Sequence, residues 1–349
     1  MDEVSVIGVD LAKHVFQLEA MTASGEVVWQ KRLKREAFKR FMAEEAPRCL
    51  IGFEASGGAH YWGRWLLAQG FQVKMMAPKS VKAYREGVHK NDERDAHAAA
   101  EAASRARVRA VRVKSEAAQA VQLLVRWRSL EIKQQGQTGN QLRGMLNEFG
   151  FVMPKGRRRL LEAVERLASD AGYLQLPESL RQAVKCLCDQ LVEQTARVKQ
   201  ATELLAVAVK DDETCTLLRT APGIGPINVA SLSVVLEAPH AYANARAFAA
   251  SLRLVPRQSQ SADRKKLLGI GAEAANQTRS NLVLAGQSLI TKVKRMKQPP
   301  QDKFLLWVWR LYPRKHRNVA TVAIAAKLAR IAWAMASRRE CYRPRLASA

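Results

Sequence analysis

The sequence predicts an α/β domain followed by a mostly helical chain, and three observations predict this class. Short β-branched segments separated by turn residues occupy positions 4–31, and helix and strand patterns then alternate to about position 105. From position 115 onward, long helical patterns replace the strands. A chain of 349 residues accommodates two or three domains, which we expect at residues 1–110, 111–213 and 214–349.

Charge is the most informative part of the composition. Lys and Arg number 57 and Asp and Glu 32, which gives a formal net charge of +25 and an isoelectric point near 10.3. Such an excess repels itself in a compact chain, so a polyanion is the expected partner, and nucleic acid is favoured over a membrane surface. With 48% hydrophobic and 26% charged residues, the chain is neither disordered nor fibrous.

The cysteines and the apolar segments indicate a cytoplasmic protein with no membrane partner. None of the five cysteines forms a CxxC pair, which argues against a zinc site and against a secreted disulfide scaffold. Acidic Asp2 and Glu3 make the amino terminus unlike a signal peptide. The most apolar late stretch, 319–337, contains Lys327 and Arg330, so we do not expect it to span a membrane.

The predicted elements of the first domain follow one another in an informative order. We expect strands at 4–10, 15–20, 27–31, 49–54 and 72–76, and helices at 35–45, 60–69, 80–85 and 92–105. A meander of three strands followed by alternating helices and strands fits an RNase H-like sheet. In such a sheet, an acid at the centre of the first strand, one at the end of the fourth and one on the closing helix converge.

Four acids occupy those positions, Asp10, Glu54, Asp92 and Asp95. Carboxylates are the ligands that Mg²⁺ or Mn²⁺ prefers, and two such ions about 4 Å apart support phosphoryl transfer. Each acid also has a purely structural interpretation: a helix cap for Asp92 and Asp95, and a strand end or loop for Asp10 and Glu54. An actin-like ATPase is disfavoured, because the segment after Asp10 reads LAKH and lacks Gly and Thr.

The middle of the chain has the pattern of paired helices. A helix is expected over 115–149, and a second helical segment carries a seam with alternating spacings of three and four. This seam predicts a coiled coil or helical hairpin, with an internal pair favoured over an oligomer contact. Arg157, Arg158 and Arg159 lie at its turn, either as phosphate contacts or as a solvated basic loop. The seam residues are Val184, Leu187, Leu191, Gln194, Val198, Ala201 and Leu205.

Two features of the last third suit nucleic acid. The segment 222–226, PGIGP, lies between apolar helical stretches as in a helix-hairpin-helix, where Gly223 and Gly225 let backbone N–H groups approach a phosphate. A turn that only joins two packed helices is the alternative. Aromatic residues at 307, 309 and 312 stand among cations, which suits stacking and phosphate contact. The cations of this tail include Lys294, Arg295, Arg314 and Lys315.

The segment 248–269 contains a candidate nucleophile. Ser259 and Ser261 precede Arg264, Lys265 and Lys266. A serine oxygen beside cations can attack a phosphodiester while the cations stabilise charge on the phosphorane. The alternative is an ordinary polar loop.

Taken together, these segments resemble the DEDD transposases of bacterial insertion sequences, the one-ten family and its eleven-eleven group, to which the pilin-gene invertase Piv is related. The resemblance spans nearly the whole chain, and the acids with the KNDxxDA pattern are its most specific part. The matching blocks, in order, are GVDLAKHVFQ, GFEASGGAHYWGR, KNDERDAHAAAEA, NQLRGMLNEFG, TAPGIGPINVASL and FAASLRLVPRQSQS.

The resemblance implies a RuvC-like (RNase H-like) catalytic domain, a coiled-coil connector and a C-terminal transposase domain in a bacterial, nucleoid-associated protein. It implies recombination by the four acids together with a serine, here best placed at Ser261, that forms a covalent phosphoserine link to DNA. It also implies a structured RNA from the same element that pairs with donor and target DNA. Since the acids and the serine lie in different domains, we expect a homo-oligomer, a dimer or tetramer, to assemble them.

The chain departs from this family around the serine. The family has Ser followed by Gly, then Gly and Lys, where this chain reads Ser261-Ala262-Asp263-Arg264. Two possibilities stay open: an active enzyme with Ser261, or less favourably Ser259, as nucleophile, or a copy with impaired strand transfer. Two other functions also stay open, a RuvC-like nuclease that hydrolyses branched DNA without a serine and a nucleic-acid-binding protein without catalysis.

Overall fold

A computed structural model describes residues 3–85, 92–167, 169–261, 264–271 and 277–346, with the backbone alone described at 261, 264, 265 and 267. The chain divides into two compact units, Met1–Glu116 and Ala117–Ala349. The predicted connector and the predicted C-terminal domain both fall within the second unit, apart from residues 111–116. The division into three domains stays a prediction.

The first unit is α/β, as the sequence predicts. Its strands are β1 (Val6–Asp10), β2 (Val15–Met21), β3 (Val27–Lys34), β4 (Leu50–Glu54), β5 (Gln72–Met76) and β6 (Ala110–Val111). Its helices are α1 (Arg35–Arg40), α2 (Ala59–Ala68), α3 (Pro78–Lys82) and α4 (Asp92–Ser104). A π-helical turn, Phe41–Glu45, completes the helix predicted at 35–45. The helix predicted at 80–85 instead begins at Pro78, whose fixed φ suits a first helical position.

The six strands form one mixed sheet in the order β3-β2-β1-β4-β5-β6. β1, β4 and β5 are parallel neighbours, whereas β2, β3 and β6 each pair antiparallel. Aromatic side chains fill one core cluster of this unit, with Phe38 of α1 stacked on Phe16 of β2 and Trp62 of α2 edge-on to both rings. Alanines of α4 and side chains of β1, β2 and β5 fill the other.

Helix α4 approaches the sheet closely because small residues line the contact. A Cβ added to Gly8 would lie 2.1 Å from the carbonyl oxygen of Ala96 and 2.8 Å from the Cβ of Ala100. One added to Gly52 would lie 2.3 Å from the Cβ of Ala103. Real Cβ atoms do not approach so closely, so β1 and β4 need glycine at these two positions.

The second unit is mostly helical. Its helices are α5 (Glu116–Glu148), α6 (Arg157–Leu167), α7 (Ala171–Leu174), α8 (Glu178–Ala208), α9 (Glu213–Arg219), α10 (Pro226–Leu236), α11 (Ala245–Ser251), α12 (Gln277–Lys294), α13 (Lys303–Leu311) and α14 (Arg317–Arg338). A 3₁₀ turn, Pro239–Ala241, precedes α11. β7 (Pro256–Ser261) and β8 (Arg264–Ile270) form an antiparallel hairpin. The polar-loop interpretation of this segment is therefore wrong. Neither PRQSQS nor RKKLLGI alternates polar and apolar residues as a half-buried strand does, which is why no strand was predicted here.

Helices α5 and α8 form an internal antiparallel pair. Side-chain hydrogen bonds join Arg128 to Thr202, Gln135 to Thr195, and Gln194 to Thr138. The internal-pair interpretation of the seam is thus confirmed, while its use in an oligomer stays a prediction. The buried seam residues are Val184, Leu191, Gln194, Ala201 and Leu205.

Helix α14 is the one described helix that is long and apolar enough, by length and composition, to cross a membrane. Its inward face, from Ala320 to Ala336, is buried in the core of the second unit, together with residues of α11 and α12. Lys327 and Arg330, the two cations noted in the sequence, lie partly buried on this helix. We therefore describe α14 as a core helix of a folded unit.

Candidate functional site

Asp10 and Glu54 end two neighbouring parallel strands. β1 and β4 pair with Gly8 opposite Gly52, and each acid lies two residues further along its strand. Side chains alternate between the faces of a sheet, so the acids share the face on which the two glycines lie. Helix α4 covers that face. Both acids therefore lie on the helix-covered side, at the carboxyl ends of adjacent strands.

The other two predicted acids begin helix α4. Asp92 is exposed, whereas the side chain of Asp95 is only 7% exposed. Both lie in the first turn, where a carboxylate interacts favourably with the positive end of the helix dipole. The start of the predicted motif, Lys90 and Asn91, lies outside the described residues.

Arg85 connects two of these acids. Its Nη2 lies 3.3 Å from Glu54 Oε2, and its Nε lies 2.7 Å from Asp95 Oδ1. The shorter contact is an ion pair without hydrogen-bond alignment, since neither of these two buried atoms has a well-aligned partner in the described part of the chain. One guanidinium thus bridges β4 and α4. Arg85 was not predicted from the sequence, because nothing in its local pattern sets it apart from the other arginines.

The donor set at this end of the sheet suits a hard divalent cation. Its oxygens are carboxylate oxygens, and the buried Asp95 Oδ1 has no well-aligned partner among the described residues. The shared contact with Arg85 puts Glu54 and Asp95 within reach of one positive charge. Within the described ranges, no group of three or more His, Cys, Asp or Glu side chains is placed to hold a metal ion. The four-acid metal site therefore stays a prediction.

A buried pair fixes α4 over the neighbouring strand. Glu19 on β2 is 2% exposed, contacts Nδ1 of His97 on α4, and accepts a 2.7 Å hydrogen bond from Gln30 Nε2. His97 is two residues after Asp95, so this contact also holds the first turn of the helix in place. This pair was not predicted from the sequence, where its signal is a charged residue within the apolar strand VFQLEAM.

The predicted serines lie on the β7–β8 hairpin. Ser261 ends β7 and pairs through its backbone with Arg264, while Ser259 pairs with Lys266. Lys265 pairs with the residue between the two serines. The side chains of Ser259 and Lys266 are exposed. The register therefore places each predicted serine opposite one of the predicted cations.

The PGIGP segment joins helices α9 and α10. Gly223 has φ near +83°, and a Cβ there would lie 2.7 Å from the Cγ of Leu289, so this glycine permits both the turn and the packing of α12. Gly225 has extended backbone and precedes Pro226, the first residue of α10. The interpretation as a turn between packed helices is confirmed, and the phosphate contact stays a prediction.

The predicted basic contacts are exposed. Arg157, Arg158 and Arg159 begin α6, where Arg158 forms an ion pair with Glu162 at 2.7 Å. They lie between α5 and α8, as predicted, but in the first turn of a helix and not in a loop. Their contact with phosphate stays a prediction.

The predicted cations of the tail are exposed, and one of them, Lys294, lies near Tyr312. Lys294, at the end of α12, places its Nζ 5.4 Å from the centre of the Tyr312 ring. Arg295, Arg314 and Lys315 are exposed on the segments that follow α12 and α13. The three aromatic residues at 307, 309 and 312 pack partly buried against the core. Core packing therefore accounts for much of their surface, and the exposed group there is cationic.

Family models match two segments of the chain, and known transposases match nearly all of it. Residues 7–151 match a family model of IS110-type DEDD transposases, and residues 215–301 match the transposase IS116/IS110/IS902 family. The chain is similar to the transposase for insertion sequence element IS1111A of Coxiella burnetii, 34% identical over 344 residues, which cover 98% of this chain and 92% of that protein. It is also similar to the transposase for element IS1328 of Yersinia enterocolitica, 32% identical over 345 residues, 97% and 98% of the two chains.

Proposed function

The chain belongs to the IS110 family of insertion-sequence transposases, enzymes that cut and transfer DNA strands, and from this premise we propose that it recombines DNA with an acid-bound Mg²⁺ or Mn²⁺ and a serine nucleophile. The observation that carries the proposal is the meeting of Glu54 and Asp95 at one cation, on the sheet face that they share with Asp10. The strand order and the place of these acids also support an RNase H-like assignment for the first unit.

The metal ligands in this proposal are Asp10, Glu54, Asp92 and Asp95. A divalent ion held there would supply positive charge to the attacking and leaving oxygens of the scissile phosphodiester. The chain's own contribution is to fix the carboxylates. Asp10 and Glu54 extend from paired strands, and the small-residue contact of α4 with the sheet holds the first turn of that helix.

The proposed covalent step uses Ser261. Its oxygen attacks the phosphorus, a P–O bond to the serine forms, and the P–O bond to the leaving sugar oxygen breaks. The serine proton passes through solvent to the leaving oxygen. The phosphoserine link keeps the bond energy for rejoining, when a sugar hydroxyl of the new partner attacks and the serine leaves with that proton. Arg264, Lys265 and Lys266 would stabilise the charge that develops on the phosphoryl oxygens.

The proposed partners are donor DNA, target DNA and a structured RNA from the same element. The charge of +25 supports polyanion binding. Because the acids and Ser261 lie in different compact units, we further propose that a homo-oligomer assembles complete sites at the bacterial nucleoid. The proposed nucleic-acid contacts are Arg157, Arg158, Arg159, Gly223, Gly225, Arg264, Lys265, Lys266, Lys294, Arg295, Arg314 and Lys315.

The test is a search for a covalent protein–DNA adduct. The protein is incubated with the DNA ends of its own element, the RNA that co-purifies with it, and Mg²⁺, and the products are separated on a denaturing gel. We expect an adduct with the wild type that is absent from Ser261→Ala and from Asp10→Ala. Ser259→Ala is the matched control and keeps the adduct.

The same gel separates the alternatives. Metal-dependent cleavage that persists in Ser261→Ala without any adduct would identify a hydrolytic nuclease. An adduct lost in Ser259→Ala but kept in Ser261→Ala would move the nucleophile by two residues. Binding of DNA with neither cleavage nor adduct would identify a binding protein or a copy that has lost strand transfer.

A further inference from the structure

The acid end of the sheet is the region where Asp10 and Glu54 end their strands and Asp95 lies in the first turn of α4. It contains a cation of the chain itself. Arg85 contacts both Glu54 and Asp95, two of the four proposed metal ligands. We propose that Arg85 is an internal counter-ion that neutralises these two acids in the metal-free protein and is displaced when a divalent ion binds. The inference rests on the proposed metal site and adds a competitor to it.

Burial explains why a counter-ion is needed. The side chain of Asp95 is 7% exposed and that of Glu54 is 28% exposed. An ionised carboxylate removed from water is destabilising unless a charge or several hydrogen bonds compensate it. Among the described residues, Arg85 is the cation that pairs with these two acids. Without a metal ion, the guanidinium therefore compensates both.

The geometry of the contact is that of a replaceable partner. Arginine binds a carboxylate most strongly through two parallel, aligned N–H bonds. Here each acid contacts only one nitrogen of Arg85, and the contact with Asp95 lacks hydrogen-bond alignment. Arg85 lies outside any helix or strand, after the end of α3, and its side chain is 30% exposed. No helix or strand fixes its backbone, and part of the side chain already contacts solvent.

A divalent ion has the advantage once it arrives. It carries twice the charge of the guanidinium and binds carboxylate oxygens directly, including the buried Asp95 Oδ1 that lacks an aligned partner in the described part of the chain. Because the two cations use the same oxygens, each lowers the affinity of the site for the other. The metal affinity of the wild type is therefore lower than the carboxylates alone would give.

Metal titration of the full-length protein tests this directly. Mn²⁺ binding is measured without nucleic acid, by calorimetry and by loss of the free-ion electron paramagnetic resonance signal. We expect Arg85→Gln to bind Mn²⁺ roughly 5- to 150-fold more tightly than the wild type, a typical size for the effect of one bound group on the affinity for another. Arg64→Gln is the matched control, since Arg64 is a partly buried arginine of the same unit that contacts Glu116 and the carbonyl oxygen of Lys114. It leaves the affinity unchanged.

Thermal unfolding gives a second readout that does not depend on activity. Without metal, Arg85→Gln is expected to unfold at a lower temperature than the wild type, because Asp95 loses its counter-charge. Mn²⁺ should then raise the unfolding temperature of the variant more than that of the wild type. Should Arg85→Gln fail to fold without metal, Arg85→Lys keeps the charge without the planar fork and should show an intermediate gain in affinity.

The outcomes separate this inference from the function on which it rests. Equal Mn²⁺ affinities of wild type and Arg85→Gln would overturn the competition and leave the metal site standing. Weaker binding by Arg85→Gln would make Arg85 a support for the ligands and would also overturn it. No saturable binding by either protein would overturn the metal site and the competition together.

Discussion

The acid end of the sheet and the β7–β8 hairpin carry the two proposed halves of the chemistry, and they are supported in opposite ways. At the acid end, glycines of two strands contact the backbone and alanines of α4, and a buried Glu19–His97 pair holds the same helix. On the hairpin, the residues from Pro256 to Gln260 are exposed, and the two strands pair only with each other in the described part of the chain.

Packing fixes the position of Asp95 far more firmly than that of Ser261. Displacing Asp95 means displacing α4, whose contacts run the length of the sheet core. Displacing Ser261 requires only bending of an exposed two-stranded ribbon, which is marginally stable by itself. The backbone that carries Glu54 and Asp95 is therefore fixed by core packing, whereas the backbone of Ser261 is fixed by the pairing of two strands.

The largest expected effect is the loss of DNA cleavage when an acid at the acid end of the sheet is replaced. Asp10→Asn removes one negative charge with little change of volume, so we expect DNA cleavage to fall by at least roughly 10²- to 10³-fold while the unfolding temperature stays close to that of the wild type. Glu45→Gln, which alters an exposed acid of the same unit, is the control and keeps activity. Cleavage rates on element-end DNA and thermal unfolding check both parts, and an active Asp10→Asn would remove this acid from the proposed site.

The next effect is on stability and contrasts one glycine from each region. Gly8→Ala places a Cβ against the backbone of α4 and should cost about 3 kcal/mol, the upper end of the usual range for overpacking. Gly269→Ala on β8 meets no described atom within 4 Å and should stay within about 0.5 kcal/mol. Urea unfolding measures both. Equal costs at the two positions would mean that the two regions are equally constrained.

Within the second unit, two neighbouring glycines differ in what an added side chain would contact. Gly223→Ala requires a positive φ and a clash with Leu289, so we expect about 2 kcal/mol of destabilisation. Gly225→Ala meets no described atom within 4 Å and should leave stability nearly unchanged. Unfolding and DNA-binding measurements on both variants are informative together. A stable Gly225→Ala protein with weakened DNA binding would support a phosphate contact at this turn.

The smallest effect is on thiol chemistry and reports how tightly the first unit is closed. Burial raises the pKa of Cys49, just before β4, to about 11, so at pH 8 its thiolate fraction is on the order of 10⁻³. Cys341 is exposed. We expect iodoacetamide to modify Cys341 first, and labelling of Cys49 to accelerate about tenfold per pH unit as the pH rises toward its pKa. Mass spectrometry follows the labelling of each cysteine. Equal labelling rates of Cys49 and Cys341 at pH 8 would show that the sheet opens readily.

Much of the first unit follows from its sequence. β-branched segments bounded by turns identified five of the six strands, because burial on a sheet core leaves that pattern. The same pattern placed Asp10 and Glu54 at strand ends, and the acidic first turn of an alanine-rich helix located Asp92 and Asp95. The two-residue strand β6 has too little sequence to carry a pattern of its own.

What the sequence did not reveal depends on contacts between distant residues or on exposed structure. Arg85 meets Glu54 and Asp95 only after β4 and α4 pack together, and no local spacing encodes that meeting. The β7–β8 hairpin escaped prediction because an exposed ribbon needs no apolar face. A Cβ at Gly223 would meet Leu289, a residue of a helix that lies much later in the chain, so no pattern around Gly223 predicts this packing.

Because small residues hold α4 against the sheet, a substitution at this contact affects both the stability of the fold and the positions of the acids. A mobile element accumulates substitutions whenever its copy escapes selection for transposition. In this chain, any side chain added at Gly8 or Gly52 would push the helix off the sheet and carry Asp92 and Asp95 with it. At these positions a drifting copy would lose solubility and acid geometry through the same substitution, whereas the hairpin that carries Ser261 could decay while the protein stayed folded.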